Sequence, residues 1–415
     1  MAATIDPNRS LEDLLKDLEQ AVDQRDFELA TSIQQAILQR LASDDVERDK
    51  IERQTRALME KLVAAPALPE LSFEAELSVE SEAPQQSGGV IYTVWFATNR
   101  KANPGDSGFS GDRANAITYG HIGVSVPDAH RFGETGTGIL KHLLRFDFRD
   151  DCLRVQHIEK QLRNEFFVEI RNAMQNANES VGKPDALIFI HGFNVTFEDA
   201  AIRSAQIGVD LGVLPGAAGF FSWPSKGEVR AYPADEATIE GSEHAIADFL
   251  IDFTANCGAE KVHLIAHSMG NRGLLRALQR IAANVEAQST VKFGQILLAA
   301  PDLDRDLFLD LAYLYPRYSE RTTLYASNKD LPVHLSSKLH AAPRAGYFLP
   351  YTLAPNIDTI CVPDFDIDLL GHGYFAQAEA LLYDIGDLIR TNGAPPRQRI
   401  VAMKEDGKDF WRLKR

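Results

Sequence analysis

Ser268 is the residue from which chemistry can be argued. It stands in VHLIAHSMGN, residues 262 to 271, between a short apolar run and a segment whose leucines recur at helical spacing. Ala266 and Gly270, two before and two after it, are small enough to let a strand and a helix pack around a sharp turn with the serine at its apex. A serine hydroxyl needs a base to take its proton, a carboxylate to orient that base, and N–H donors for the oxyanion. In sites of this pattern the chain order is serine, acid, histidine, which leaves His334, His340 and His372. His372 lies between glycines in LLGHGYF, just before the terminal helix, and is the candidate base, whereas the other two fall in a polar, Lys-containing segment. Asp330 in YASNKD, directly after a strand-like run, is the favoured acid; Asp302 and Asp304 in AAPDLDRD, after the preceding run, are the alternatives. Asp364 and Asp366 are placed to brace the histidine loop or to be solvated there. The oxyanion donors are the backbone N–H groups of Met269 and of Phe193 in LIFIHGFN, where Gly192 permits close approach. His191 precedes the nucleophile and is read as a hydrogen-bonding neighbour or buried structural histidine, not as a base.

Elements must carry these residues to one place. From Ala186 onward strand-like and helix-like segments alternate: ALIFI, a helix through TFEDAAIRSAQIGVDLG, AAGFFSW, a helix through TIEGSEHAIADFLIDFTA, the Ser268 strand and helix, then FGQILLAA, TTLYAS and IDTICV. The last helix runs from about 374 to 389. Such alternation implies a parallel sheet covered by helices on both faces, with ligands at the carboxyl ends of the strands. Upstream, Val90 to Arg100 and Ile117 to Val126 read as strands, with a Gly-, Asp- and Asn-rich loop through Asn115 between them. HLLRFDF and CLRVQHI suggest short edge strands, and 164 to 178 a helix. Residues 331 to 357 are long for a plain connection and rich in Pro, Leu and aromatics, which suggests either a small lid over an acyl pocket or a packed structural loop.

The first 63 residues read as amphipathic helices, with Leu11, Leu14, Leu15, Leu18 and Val22 along one face and a second helix from Phe27 to Leu41. Residues 64 to 88 carry five glutamates and no Lys or Arg among Pro, Ser and Gly, which is linker composition. The expected organisation is therefore a helical interaction segment (1–63), an acidic flexible linker (64–88), an α/β catalytic domain (89–390) and a basic, solvated C-terminal tail (391–415). A net charge of −16 argues against a nucleic-acid partner. Cys152, Cys257 and Cys361 lack any metal or redox spacing, and no dinucleotide fingerprint occurs, so no metal and no cofactor is implied. With no signal-like N-terminus and no membrane-span-length apolar run, a cytoplasmic location is expected.

Four segments carry a resemblance: VWFATNR (94–100), IHGFN (190–194), FSWPS (221–225) and AHSMGNR (266–272). Together they are similar to a bacterial α/β-hydrolase family of unknown function. The resemblance implies the α/β-hydrolase fold, with a mostly parallel doubly wound sheet, and a serine hydrolase acting through Ser268, Asp330 and His372 on a small-molecule acyl substrate such as a carboxylic ester. The stretch LEQAVDQRDFELATSIQQAILQRL (18–41) resembles a UVR-like helical hairpin, which implies self-association or a protein partner for residues 1–63. The alternative function is an interaction protein that uses the hydrolase-fold domain as a scaffold.

Overall fold

The computed structural model describes residues 11–23, 33, 89–105, 108–128, 130, 132, 152–181, 183–227, 231–327, 342–362 and 375–414. Asp330, His334, His340, Asp364, Asp366 and His372 lie outside the described residues, as do residues 34–88, HLLRFDF and the first part of the expected lid, 331–341. The chain divides into two compact units, Met1–Glu82 and Ala83–Arg415. In the first, helix α1 (Leu11–Asp23) forms where the apolar spacing predicts it, with Leu14, Leu18 and Ala21 as its buried face.

Among the described residues the second unit forms an eleven-stranded sheet with flanking helices. In chain order its elements are β1 (Gly89–Ala102), β2 (Phe109–Pro127), β3 (Arg154–Gln161), α2 (Arg163–Val181), β4 (Ala186–Ile190), α3 (Phe197–Asp210) and β5 (Ala218–Ser222). Then come α4 (Tyr232–Gly241), α5 (Glu243–Asn256), β6 (Val262–His267), α6 (Gly270–Ala283), β7 (Phe293–Ala299), α7 (Arg305–Leu311) and α8 (Leu314–Tyr318). β8 (Ser319–Ala326), β9 (Ile357–Cys361), α9 (Phe375–Thr391), β10 (Ile400–Glu405) and β11 (Lys408–Leu413) complete it. The spatial order is β10-β11-β9-β8-β7-β6-β4-β5-β1-β2-β3. The run from β11 to β1 is parallel throughout, and the antiparallel pairs β10–β11, β1–β2 and β2–β3 lie toward the two edges.

Period-two burial splits the core in two. Along β4, Ile188 and Ile190 enter one core, shared with α5, α6 and α8, while Leu187 and Phe189 enter the other, shared with α3 and α9. Both faces of the central strands are thus buried, which explains the wholly apolar β4 and the largely apolar β6 and β7, where His263 and Gln295 are buried polar exceptions.

Four expectations change. The polar segment through Asn115 is mostly strand, because β1 extends to Ala102 and pairs across register shifts at Arg100↔Arg113 and Ala102↔Phe109. The single helix expected before β6 is two, α4 and α5, meeting at Gly241–Ser242. The segment expected as a solvated tail from 391 instead supplies β10 and β11; Ile400, Phe410 and Leu413 are buried, and Trp411 and Arg412 pair with β9. Lys404, Glu405, Lys408 and Asp409 occupy exposed positions of the hairpin, so composition concealed the alternation. The unit that holds the sheet therefore does not end at 390. Finally, the described part of the expected lid is a packed loop: Ala345 and Gly346 donate to the carbonyls of Leu303 (2.9 Å) and Pro301 (2.8 Å), and Phe348 packs on Phe410.

Candidate active site

Ser268 occupies the junction of β6 and α6 with φ +48°. That is the left-handed region, which a serine adopts only where its surroundings impose it. Those surroundings are hydrogen bonds. The Ser268 N–H donates to Ala299 O (2.9 Å), and its carbonyl accepts from the N–H groups of Asn271 and Asp302, both at 3.1 Å. Asn271 Nδ2 adds bonds to Ala266 O (3.0 Å) and Ser268 O (3.1 Å). Gly270 is required by contact: a Cβ there would stand 2.5 Å from His191 O and 2.8 Å from Ile190 O, so the first turn of α6 lies directly on the end of β4. Ala266, by contrast, is fully buried with its methyl accommodated.

The loop after β4 closes over the serine from the other side. A Cβ on Gly192 would lie 3.0 Å from Ser268 Cβ and 2.9 Å from His267 Nδ1, so the main chain before Phe193 runs against the elbow. Met269, buried, begins α6, whose first N–H groups have no acceptor within the helix. The Phe193 ring meets Tyr232 edge-on, with centroids 5.1 Å apart.

His191 is held neutral by burial, and its bonds fix the tautomer. Its Nδ1–H donates to Gly192 O (2.9 Å), so Nε2 must accept, and it lies 3.2 Å from Ser222 Oγ. Ser222 Oγ in turn accepts from Arg100 Nε (2.8 Å), which leaves its proton for the imidazole. Complete burial, with the Arg100 guanidinium close by, holds the His191 pKa well below the ordinary imidazole value. Its ring stacks on Trp223, whose Nε1 donates to His191 O (2.8 Å). A histidine so engaged orders the loop and has no lone pair to offer Ser268.

Arg100 ties three of the sequence segments together. Beyond Ser222 it donates to Ser225 O (2.8 Å) and Val195 O (2.7 Å), tying the end of β1 to the loops after β4 and β5. Ser225 then donates to the buried Asp235 (2.6 Å), whose carboxyl pKa is raised by burial.

Of the alternative acids, Asp304 is the N-cap of α7, its Oδ1 accepting from the N–H groups of Asp306 (3.0 Å) and Leu307 (2.9 Å). Asp302 is closer to the serine through its own N–H and is 2% exposed. Its Oδ2 accepts from Tyr232 OH (2.5 Å), and Oδ1 faces Arg272 (3.4 Å) and Arg344 (3.5 Å). Arg272 also bonds to Glu236 and to Tyr232 OH (3.1 Å). Tyr232 thus joins the Phe193 loop to Asp302, and nothing in its sequence neighbourhood marks it. Among the described residues no group of His, Cys, Asp or Glu is arranged to hold a metal, and no helix is long and apolar enough to cross a membrane.

A family model described as alpha/beta hydrolase of unknown function (DUF900) matches residues 169–390, which is more than half of the chain. The match runs from within α2 to the end region of α9, so β1–β3, β10 and β11 lie beyond it although they belong to the same sheet. No curated protein matches the chain.

Proposed function

The chain belongs to this family of α/β hydrolases, and on that premise we propose that it is a serine hydrolase cleaving a carboxylic ester or related acyl bond through an acyl-enzyme on Ser268. The observation that carries the reading is the positive φ of Ser268 at a strand–helix junction against which the Gly192 main chain is packed. A nucleophile elbow of this kind presents its serine hydroxyl at the carboxyl end of a sheet near oxyanion donors, which supports the reading. His372 is assigned as the base and Asp330 as the acid that orients it.

In this reading His372 takes the Ser268 proton as Oγ attacks the substrate carbonyl, and the N–H groups of Phe193 and Met269 bind the oxyanion. Collapse breaks the bond to the leaving group, which departs with the proton from the imidazolium. Water, deprotonated by the same histidine, then attacks the acyl-enzyme and releases the acid. Asp302 is a second reading for the acid because its buried carboxylate lies at the end of β7 and its N–H bonds to Ser268. The two guanidinium groups that face it favour Asp330, since they already compensate the charge an imidazolium would need.

Fluorophosphonate labelling tests both points. Wild-type protein should label and Ser268→Ala should not. Asp330→Asn should slow turnover by roughly 10⁴-fold, as loss of a triad carboxylate does elsewhere, with Asp302→Asn retaining far more activity. Equal labelling of Ser268→Ala removes the serine assignment, and the reverse ranking of the two aspartates moves the acid to Asp302.

A further inference from the structure

Between Thr98 and Arg100, which face the site just described, Asn99 serves another surface. Its Nδ2 donates to Ser242 Oγ (2.9 Å), and Ser242 spends its own proton on Thr238 O (2.8 Å). Ser242 Oγ can therefore only accept, which fixes the amide orientation. Asn99 Oδ1 is then a buried acceptor without a donor, on a side chain 3% exposed. Such groups are rare in folded proteins and call for a partner.

Asn99 lines a groove of about 770 Å³ between β2 and the α4–α5 corner, within the size range of ligand sites. None of Ser268, Met269, Phe193 and Asp302 borders it. Arg113 of β2 lies over Gly241, where any side chain would collide with its guanidinium, and it has no acidic partner among the described residues. Further along α5 the groove meets Asp248, 3.6 Å from His244, and then Asp252. Arg163 neutralises Asp252, with Nε 2.6 Å from Oδ2. Burial raises the Asp248 pKa, His244 opposes it, and the smaller effects of Asp252 and Arg280 oppose one another; the net direction is upward, so a further cation at Asp248 would be favourable. What remains is one free cation and one weakly compensated carboxylate, with the orphan acceptor beside the cation. From Ser242, the N-cap of α5, to Asp248 the helical rise is about 9 Å, the span of two to three extended residues, about 3.3–3.6 Å each.

We propose that this groove binds a short peptide of two or three residues with free ends, its carboxylate on Arg113, its ammonium on Asp248 and a main-chain N–H on Asn99 Oδ1. The peptide satisfies all three groups at once, and the balanced charge of the walls disfavours a polyanion. The proposal stands independently of the role of Ser268.

Isothermal titration of the full chain with trialanine, N-acetyl-trialanine and trialanine amide tests it. Trialanine should bind with a dissociation constant of about 1 mM or tighter, and each blocked peptide should bind at least about tenfold more weakly. Arg113→Gln should abolish the discrimination against the amide, and Asp248→Asn that against the acetyl form. Both side chains are exposed enough for the variants to fold, which circular dichroism would verify. Asn99→Ala should weaken all three peptides alike. Absence of binding by trialanine at about 10 mM, or end discrimination that survives both charge variants, overturns the proposal.

Discussion

At the scale of single residues, the site depends on a serine held at φ +48° and on a histidine kept from acting as a base. His191 is neutral because burial lowers its pKa and because Arg100 reaches it through Ser222. Its folded-state pKa lies below that of the unfolded chain, so the unfolded state binds a proton first as pH falls. The stability tied to the neutral ring is complete above about pH 6.5 and declines below it by up to about 1.4 kcal/mol per pH unit, until the folded pKa is reached. Urea midpoints of wild type and His191→Gln should accordingly converge between neutral pH and pH ~5. A gap that stays constant over that range would mean that folding leaves the His191 pKa unshifted, and one that widens as pH falls would mean that the fold favours the protonated ring.

At the scale of elements, the ends of β4, β6 and β7 bring Gly192, Ser268 and Asp302 together, and Tyr232 at the start of α4 links the Phe193 loop to Asp302. Its ring rests on Phe193 and its hydroxyl on Asp302 and Arg272. Tyr232→Phe keeps the ring and removes the hydrogen bonds, so the β7 loop that holds the Ser268 carbonyl loses a brace. We expect fluorophosphonate labelling of the folded variant to slow roughly tenfold, in line with the sensitivity of such geometries to small displacements, measured well below its melting temperature. An unchanged labelling rate alongside a lowered melting temperature would reduce Tyr232 to a stability role.

How far these elements could be read in the sequence depended on how local their signals are. Ser268 and the alternation from β4 to β8 were legible, because a buried parallel strand writes an apolar run and a covering helix writes its own period. Phe193 and Gly192 followed from the same junction logic. Tyr232 and the role of Arg100 were not legible, since their partners are tertiary: Arg100 and Ser222 are 122 positions apart, and Tyr232 and Asp302 are 70. Phe109 to Asn115 looked like a loop because its Gly, Asp and Asn content is that of a turn, yet pairing with a long β1 overrides that preference.

At the scale of the whole molecule, the sheet is closed at one edge by the C-terminal hairpin. Arg397 fastens it: Nε and Nη2 bond to the Asp384 carboxylate at 2.6 Å and 2.9 Å, and Tyr325 OH donates to the same group at 2.7 Å. The pair is buried, with side chains 9% and 2% exposed. Arg397→Ala would leave Asp384 charged and unpaired, so stability should fall by about 3–5 kcal/mol, whereas Tyr325→Phe should cost about 1–3 kcal/mol. Equilibrium denaturation measures both, and a loss under about 1 kcal/mol for Arg397→Ala would show that the hairpin is not anchored there. The sheet so completed holds Ser268 at the carboxyl end of a central strand, where the proposed chemistry requires it to be acylated. Mass spectrometry of protein quenched during turnover of p-nitrophenyl acetate tests this. One acetyl group is expected on the peptide containing Ser268, and none in Ser268→Ala. Ester turnover with no acetyl on that peptide, and undiminished in Ser268→Ala, would contradict the proposed acylation.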